Sequence, residues 1–209
     1  MWVFFDLNGT LVDPSILLAP AEIPLAALDE ANVMAMITTI AGRETAFKPL
    51  LDAALRRGLV RAGRPSNEAA GALEKLPDMP PYPDVAGALG ALRDAGFQLA
   101  VLTQSSLEAA EEVTRNAGLR DAFELVLSAP ELGAFKPDDL AYKAALERAG
   151  VTEAWFVAGH WWDVAGAAYA GLRTGWVSRT DVAYPDAMPV PDVTGADVSA
   201  VAAGILRTV

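Results

Sequence analysis

Four groups of polar residues each stand just beyond a short apolar run. Asp6 stands near the end of the run at 2–7 with Asn8 and Thr10 just after it, and Thr103, Gln104 and Ser105 follow the run at 98–102. Lys136 lies a short loop beyond 125–127, and His160 and Asp163 follow 154–158. Together they offer two carboxylates, hydroxyls and an ammonium. A carboxylate held beside a lysine stays ionised, because the opposite charge favours its charged form. Such a carboxylate can attack an electrophilic centre and form an ester or acyl-phosphate, splitting one hard step into two. Asp163 can then orient or deprotonate the water that resolves the intermediate. The turn at Gly9 and the amides around Gln104 suit an anion.

The elements needed to bring these groups together are legible in the same runs. Those at 2–7, 98–102, 125–127, 154–158 and 174–177 read as buried strands. Helical patterns at 85–95, 107–117, 139–149 and 163–170 alternate with them, each closing on a glycine: Gly96, Gly118, Gly150 and Gly171. This alternation predicts an α/β fold, a doubly wound parallel (Rossmann-like) sheet with helices on both faces. In such a sheet ligands bind at the carboxyl ends of the strands, so the four groups converge. Residues 14–80 break the rhythm with helices expected at 25–41, 44–57 and 66–76, before a proline-rich exit at Pro77, Pro80, Pro81 and Pro83. The expected division is a core of 1–13 and 81–209 with a helical insertion at 14–80. A proline-rich loop at 185–191 is expected to precede a last helix at 198–206.

Composition narrows the chemistry. With 209 residues, 53% hydrophobic and 21% charged, the chain is globular in type. It has no cysteine, which excludes thiolate metal sites and cysteine nucleophiles. The single histidine, His160, excludes multi-histidine metal sites. A net charge of −11 opposes binding to nucleic acid. No run is long and apolar enough to span a bilayer, so the expectation is a soluble cytoplasmic protein.

The segment Phe5-Asp6-Leu7-Asn8-Gly9-Thr10-Leu11-Val12-Asp13 resembles the first motif of the haloacid dehalogenase superfamily. Leu102-Thr103 resembles its second motif, Lys136-Pro137 its third and Gly159-His160-Trp161-Trp162-Asp163 its fourth. The resemblance implies that Asp6 is the nucleophile and that Thr103 and Lys136 steady its charge. It implies that Asp163 supports the second step, with Thr10 also in the catalytic group. The insertion at 14–80 is then similar to the family's small helical cap.

Two positions depart from the phosphatases of that superfamily. They carry a second aspartate, the general acid/base, where this chain has Asn8, and a carboxamide cannot exchange a proton near neutral pH. They bind magnesium through an aspartate where this chain has His160, and imidazole is a poor magnesium ligand. The 2-haloacid dehalogenase (type II) branch needs neither group nor any cofactor. Trp162-Asp163-Val164-Ala165-Gly166-Ala167 looks like that branch, and Tyr142, six residues after Lys136, matches one of its tyrosines. The resemblance therefore implies hydrolytic dehalogenation of a small 2-haloacid through an Asp6 ester. Asn8, Gln104, Tyr142, His160 and Trp162 are the implied substrate contacts. That branch places an arginine on the first cap helix, yet residues 16–42 contain no Arg or Lys, and Arg43 is the nearest substitute. The alternatives are a magnesium-dependent phosphatase, with Asp6 and Asp163 as metal ligands, or a non-catalytic binding protein. The expected partner is a small anionic substrate, with a homodimer as a further expectation.

Overall fold

The computed structural model describes residues 1–19, 22–179 and 181–208. β1 (Trp2–Phe5) is followed by α1 (Ala26–Ile40), α2 (Phe47–Arg61), α3 (Ala69–Leu73) and α4 (Val85–Asp94). Then come β2 (Gln98–Thr103), α5 (Leu107–Asn116), β3 (Leu125–Ser128), α6 (Asp139–Ala149), β4 (Ala154–Ala158), α7 (Trp161–Tyr169), β5 (Arg173–Val177), β6 (Val193–Gly195) and α8 (Val198–Leu206). The strands form one six-stranded sheet in the order β3-β2-β1-β4-β5-β6. Every neighbouring pair is parallel. Strand order reverses between β1 and β4, and the cleft beyond their carboxyl ends is where such sheets take ligands.

Side chains alternate across each strand. Val3 and Phe5 enter one core with Leu99, Val101, Trp155 and Val157, covered by α4, α5 and α8. Trp2 and Phe4 enter the opposite core with Ala100, Leu102 and Phe156, covered by α6 and α7. Both faces are therefore sealed, which is why the strands read as continuous apolar runs. The glycines expected to close four helices all have positive φ: Gly96 at +87°, Gly118 at +69°, Gly150 at +70° and Gly171 at +90°.

α1, α2 and α3 pack around an apolar cluster of their own, built on Ala27, Ala31, Leu51, Leu55 and Leu59. Gly58 lets α2 approach closely: a Cβ there would lie 3.1 Å from the Ala27 Cβ. One core residue, Phe135, joins this cluster, with its ring 6.2 Å from that of Phe47. The helix at the carboxyl side of this layer is shorter than its sequence suggests. The stretch expected at 66–76 is instead a 3₁₀ turn at Ser66–Glu68, the short α3, and a second turn at Leu76–Asp78 with Pro77 in its first positions. α2 begins at Phe47 rather than 44 and runs on to Arg61, and α7 begins two residues early, at Trp161. β6 was not expected. It is three residues long and exists through its pairing with β5, a tertiary contact without local periodicity. Among the described residues no helix is long and apolar enough to cross a membrane.

α7 carries Gly166 against the loop that holds Lys136. A Cβ at Gly166 would lie 2.5 Å from the Pro137 Cβ and 2.8 Å from the Tyr142 hydroxyl. Gly166→Ala gains about 1 kcal/mol of helix propensity, but forcing a methyl into a filled space costs about 1–3 kcal/mol. Net destabilisation is expected in urea unfolding, and an unchanged or raised midpoint would contradict this packing.

Candidate active site

β1 ends at Phe5, and the next residue, Asp6, is anchored by its backbone N–H to the Val157 carbonyl at 3.0 Å. Gly9 (φ +82°) then turns the chain back, placing Thr10 over the same carboxylate. The Thr10 hydroxyl donates to Asp6 Oδ2 at 2.8 Å and accepts from the Gly159 N–H at 2.8 Å, tying the ends of β1 and β4 together. Gly159 is obligatory in this contact: a Cβ there would meet the Gly9 carbonyl oxygen at 2.7 Å.

Lys136 reaches the same point from the β3–α6 loop and is fully buried. Its ammonium donates to Asp6 Oδ1 at 2.8 Å, Asp163 Oδ2 at 2.5 Å and the Leu102 carbonyl at 2.9 Å. Gln104 clamps the Lys136 backbone from both sides, accepting from its N–H at 3.0 Å and donating to its carbonyl at 2.8 Å. Tyr142 donates to Asp163 Oδ1 at 2.6 Å. Thr103 is buried, and its hydroxyl accepts from the Ser105 N–H at 3.2 Å, shaping the turn into α5. Ser106, not Thr103, caps that helix. The cap position of α7 is His160 rather than Asp163.

Burial alone pushes the Asp6 pKa up, but Lys136 and His160 beside it reverse this and hold it well below the usual carboxylate range. Asp163 moves the other way: burial raises it, Lys136 lowers it, and the charge of Asp6 raises it again. Burial lowers the Lys136 pKa, yet Asp163 and Asp6 leave it raised overall. Burial likewise lowers His160, and Asp6 and Asp163 more than compensate. The result is an ionised Asp6, a charged lysine between two carboxylates, and a more basic second carboxylate.

Asp6 opens into a cavity of about 50 Å³. Its base is polar, with Asp6, Asn8, Thr103, Gln104 and His160; its far wall is Leu17, Leu28, Phe47, Leu51, Leu76 and Met79, with Asn32 and Trp162. An adjoining cavity of about 250 Å³ shares Asn8, Phe47, Leu51, Leu76 and Met79. The structure thus brings together Asp6, Thr10, Thr103, Lys136, Asp163 and Tyr142 by hydrogen bonds or burial, and Asn8, Gln104, His160 and Trp162 around the cavity. Asp163 and Lys136 are both wholly buried behind Asp6, and Lys136 links Asp163 to the Asp6 carboxylate that lines the cavity.

Arg43 is not brought to the cavity. It lines a separate groove of about 620 Å³ with Thr39, Glu44, Glu131 and Phe135. α1 meets the cavity through Leu28 and Asn32 and ends at Ile40, about 12 Å further along its axis at ~1.5 Å per residue. Gly42 (φ +62°) then turns the chain before Arg43. The donor set likewise does not fit magnesium. The Lys136 ammonium stands between the two carboxylates, and among the described residues no group of three or more His, Asp or Glu can hold a metal. Two residues escaped the sequence reading. Asn32 is a buried amide among apolar helix neighbours, its only signal being polarity on an inward face. Arg179 donates to the Thr10 carbonyl at 3.3 Å and to Asp84 at 2.6 Å, a pairing of distant residues that no local pattern announces.

Residues 1–171 match a family model described as haloacid dehalogenase-like hydrolase. The chain is 37% identical over 116 residues to haloacetate dehalogenase H-2 of Moraxella sp. (strain B), covering 54% of this chain and 52% of that protein. It is 25% identical over 204 residues to (S)-2-haloacid dehalogenase H-109 of Pseudomonas putida, covering 90% of each. It therefore spans about half the length of the Moraxella relative, and nearly all of the other. Its fold resembles that of the L-2-haloacid dehalogenase of Xanthobacter autotrophicus with chloropropionic acid covalently bound, with a TM-score of 0.87 at 23% identity over 100% of this chain and 99% of that one.

Two outcomes follow from the charge arrangement. Lys136→Met leaves two buried carboxylates without their shared cation and is expected to cost about 3–5 kcal/mol in urea unfolding. The single histidine gives one Cε1–H resonance, expected to titrate above the ordinary 6.5 and to fall back in Asp6→Asn. Its contribution to stability is then full below pH 6.5 and lost as pH rises through the folded value. Titration at or below 6.5 would falsify this charge assignment.

Proposed function

The chain belongs to the haloacid dehalogenase-like hydrolases, and from that premise we propose that it hydrolyses the carbon–halogen bond of a small 2-haloacid through an ester on Asp6. The observation that carries this reading is the state of Asp6: ionised, fixed by Thr10 and Lys136, and facing a small, mostly apolar cavity. An Asp6 oxygen attacks C2, the C–O bond forms, and the halide departs with the bonding pair. Water then adds to the Asp6 carbonyl carbon, the ester C–O bond breaks, and a 2-hydroxyacid leaves as Asp6 is restored. Asp163, the more basic carboxylate, takes up that proton through Lys136, which passes one of its own to Asp163 Oδ2 as it accepts the one from water. Lys136 neutralises Asp6 before attack and the oxyanion during hydrolysis, a kind of stabilisation worth about 3–4 kcal/mol when a single donor is removed elsewhere. Tyr142 holds Asp163, and Gln104 holds Lys136.

Asn8 agrees with this reading and not with phosphoryl transfer, since displacement of halide requires no proton for the leaving group. Residues 14–80 act as the cap, supplying the apolar wall, and 1–13 with 81–209 form the catalytic core. A short acid is the substrate class that the cavity admits; its location in the cytoplasm and assembly as a homodimer belong to the same reading.

Halide release from chloro- and bromoacetate and 2-chloropropionate, measured by ion chromatography in EDTA, tests it. Release is expected from the native protein and not from Asp6→Asn. Asp163→Asn is expected to accumulate the ester, visible as an adduct on the Asp6 peptide by mass spectrometry. Release by Asp6→Asn, or release that needs magnesium, overturns the mechanism.

A further inference from the structure

The reacting atoms need only part of the space between the sheet ends and α2. The cavity in front of Asp6, about 50 Å³, has room for about four water-sized groups at ~10–15 Å³ each, so C2 with its carboxylate and halogen fills it. Any further chain on C2 must lie elsewhere. The adjoining cavity offers about 250 Å³ and shares Asn8, Phe47, Leu51, Leu76 and Met79 with the first, so the two meet along these side chains.

The walls of this second cavity suit hydrocarbon. Leu73, Leu76, Pro77 and Met79 line it from one side, and Ala109 and Val113, one turn apart on α5, from the other. Its polar groups are spoken for or exposed. Asn8, at the boundary with the first cavity, donates to the Ser105 hydroxyl at 3.3 Å, and the Ser106 hydroxyl caps α5. Lys48, Glu74 and Glu112 are exposed and form the outer rim. That rim carries two negative charges against one positive, so it offers no net attraction to a second anionic group. Water inside finds few partners on such walls, and its displacement by methylene groups is favourable.

We propose that the second cavity receives an alkyl chain on C2, so that the preferred substrate is a 2-haloacid with an unbranched chain several carbons long and an uncharged end, rather than a haloacetate. The inference rests on the dehalogenase reading and adds to it the length and polarity of the substrate. Each methylene taken out of water is worth about fourfold in affinity. The chain is remote from the reacting atoms, so its burial stabilises ground state and transition state alike and shows in KM rather than in kcat. Ala109 is then the residue that sets chain length. It is small and half-buried, and a larger side chain there occupies the space that the substrate chain needs.

The test measures bromide release from 2-bromopropionate, 2-bromohexanoate and 2-bromoadipate by the native protein and by Ala109→Phe. In the native protein KM is expected to fall by about tenfold or more from the propionate to the hexanoate, which adds three methylenes, with kcat nearly kept. The adipate, with a second carboxylate at the chain end, is expected to gain nothing over the propionate. Ala109→Phe is expected to raise KM for the hexanoate about tenfold and to leave the propionate unchanged. Equal KM values for propionate and hexanoate in the native protein overturn the proposal, as do equal losses for both in Ala109→Phe or a preference for the adipate. A second readout needs no turnover. Calorimetric titration is expected to show hexanoate binding the native protein more tightly than acetate, and Ala109→Phe losing that advantage; equal affinities in the native protein overturn the proposal. Absence of bromide release from all three acids, together with a hexanoate advantage that Ala109→Phe removes, overturns the dehalogenase reading alone and keeps the second cavity as a site for an apolar chain.

Discussion

The ammonium of Lys136, buried between Asp6 and Asp163, is the interaction on which the rest depends. Three charges are taken out of water at one point. Such a cluster is tolerated only when every member is paired and hydrogen-bonded, since the desolvation penalty otherwise exceeds the attraction. The surrounding structure meets that demand. Leu102 offers its carbonyl, Tyr142 and Thr10 offer hydroxyls, and Gln104 fixes the Lys136 backbone. The same saturation makes the two carboxylates unequal. Asp6 has the His160 imidazole beside it as well as Lys136 and stays ionised, whereas Asp163 is deeper and becomes the better base. Two identical side chains thus acquire different basicities from their surroundings.

Holding that cluster is a task for the sheet rather than the loops. Asp6 follows β1, Leu102 sits in β2, and Asp163 lies two residues into α7 after β4. These strands are adjacent, in the order β2-β1-β4, and their parallel register brings all the carboxyl ends to one level. Lys136 alone arrives on a longer connection, and it is the residue with the most elaborate backbone clamp. Arg179 extends the bracing outward. It links the Thr10 carbonyl to Asp84, which also accepts from the Val198 N–H at the start of α8, so the turn after Asp6 is tied to the helices on one face.

How much of this was legible in the sequence follows from the range of each interaction. The strands at 98–102 and 154–158 read correctly because burial on both faces leaves an unbroken apolar run, and the helices ending at Gly96, Gly118, Gly150 and Gly171 because a left-handed residue there needs glycine. Asp6, Thr103, Lys136 and Asp163 could be placed together because each follows a strand and parallel strands end together. β6 was illegible, since three residues carry no period. The position of Arg43 was illegible for a different reason: it depends on where α1 points, and that is set by the packing of α1 on α2, not by α1 itself. Asn32 and Arg179 make their contacts through side chains whose partners are fixed only in three dimensions.

The cavity therefore has two authors. The sheet ends supply every charged and polar group at its base, while α1, α2 and the turn at Leu76–Asp78 supply a wall nearly free of them. This asymmetry has an electrostatic consequence. A wall that excludes water lowers the local dielectric and strengthens each attraction at the base, including that between Lys136 and any charge developing on Asp6. It also withholds solvation from whatever leaves toward it. Selectivity for the leaving group then belongs to α1 and α2.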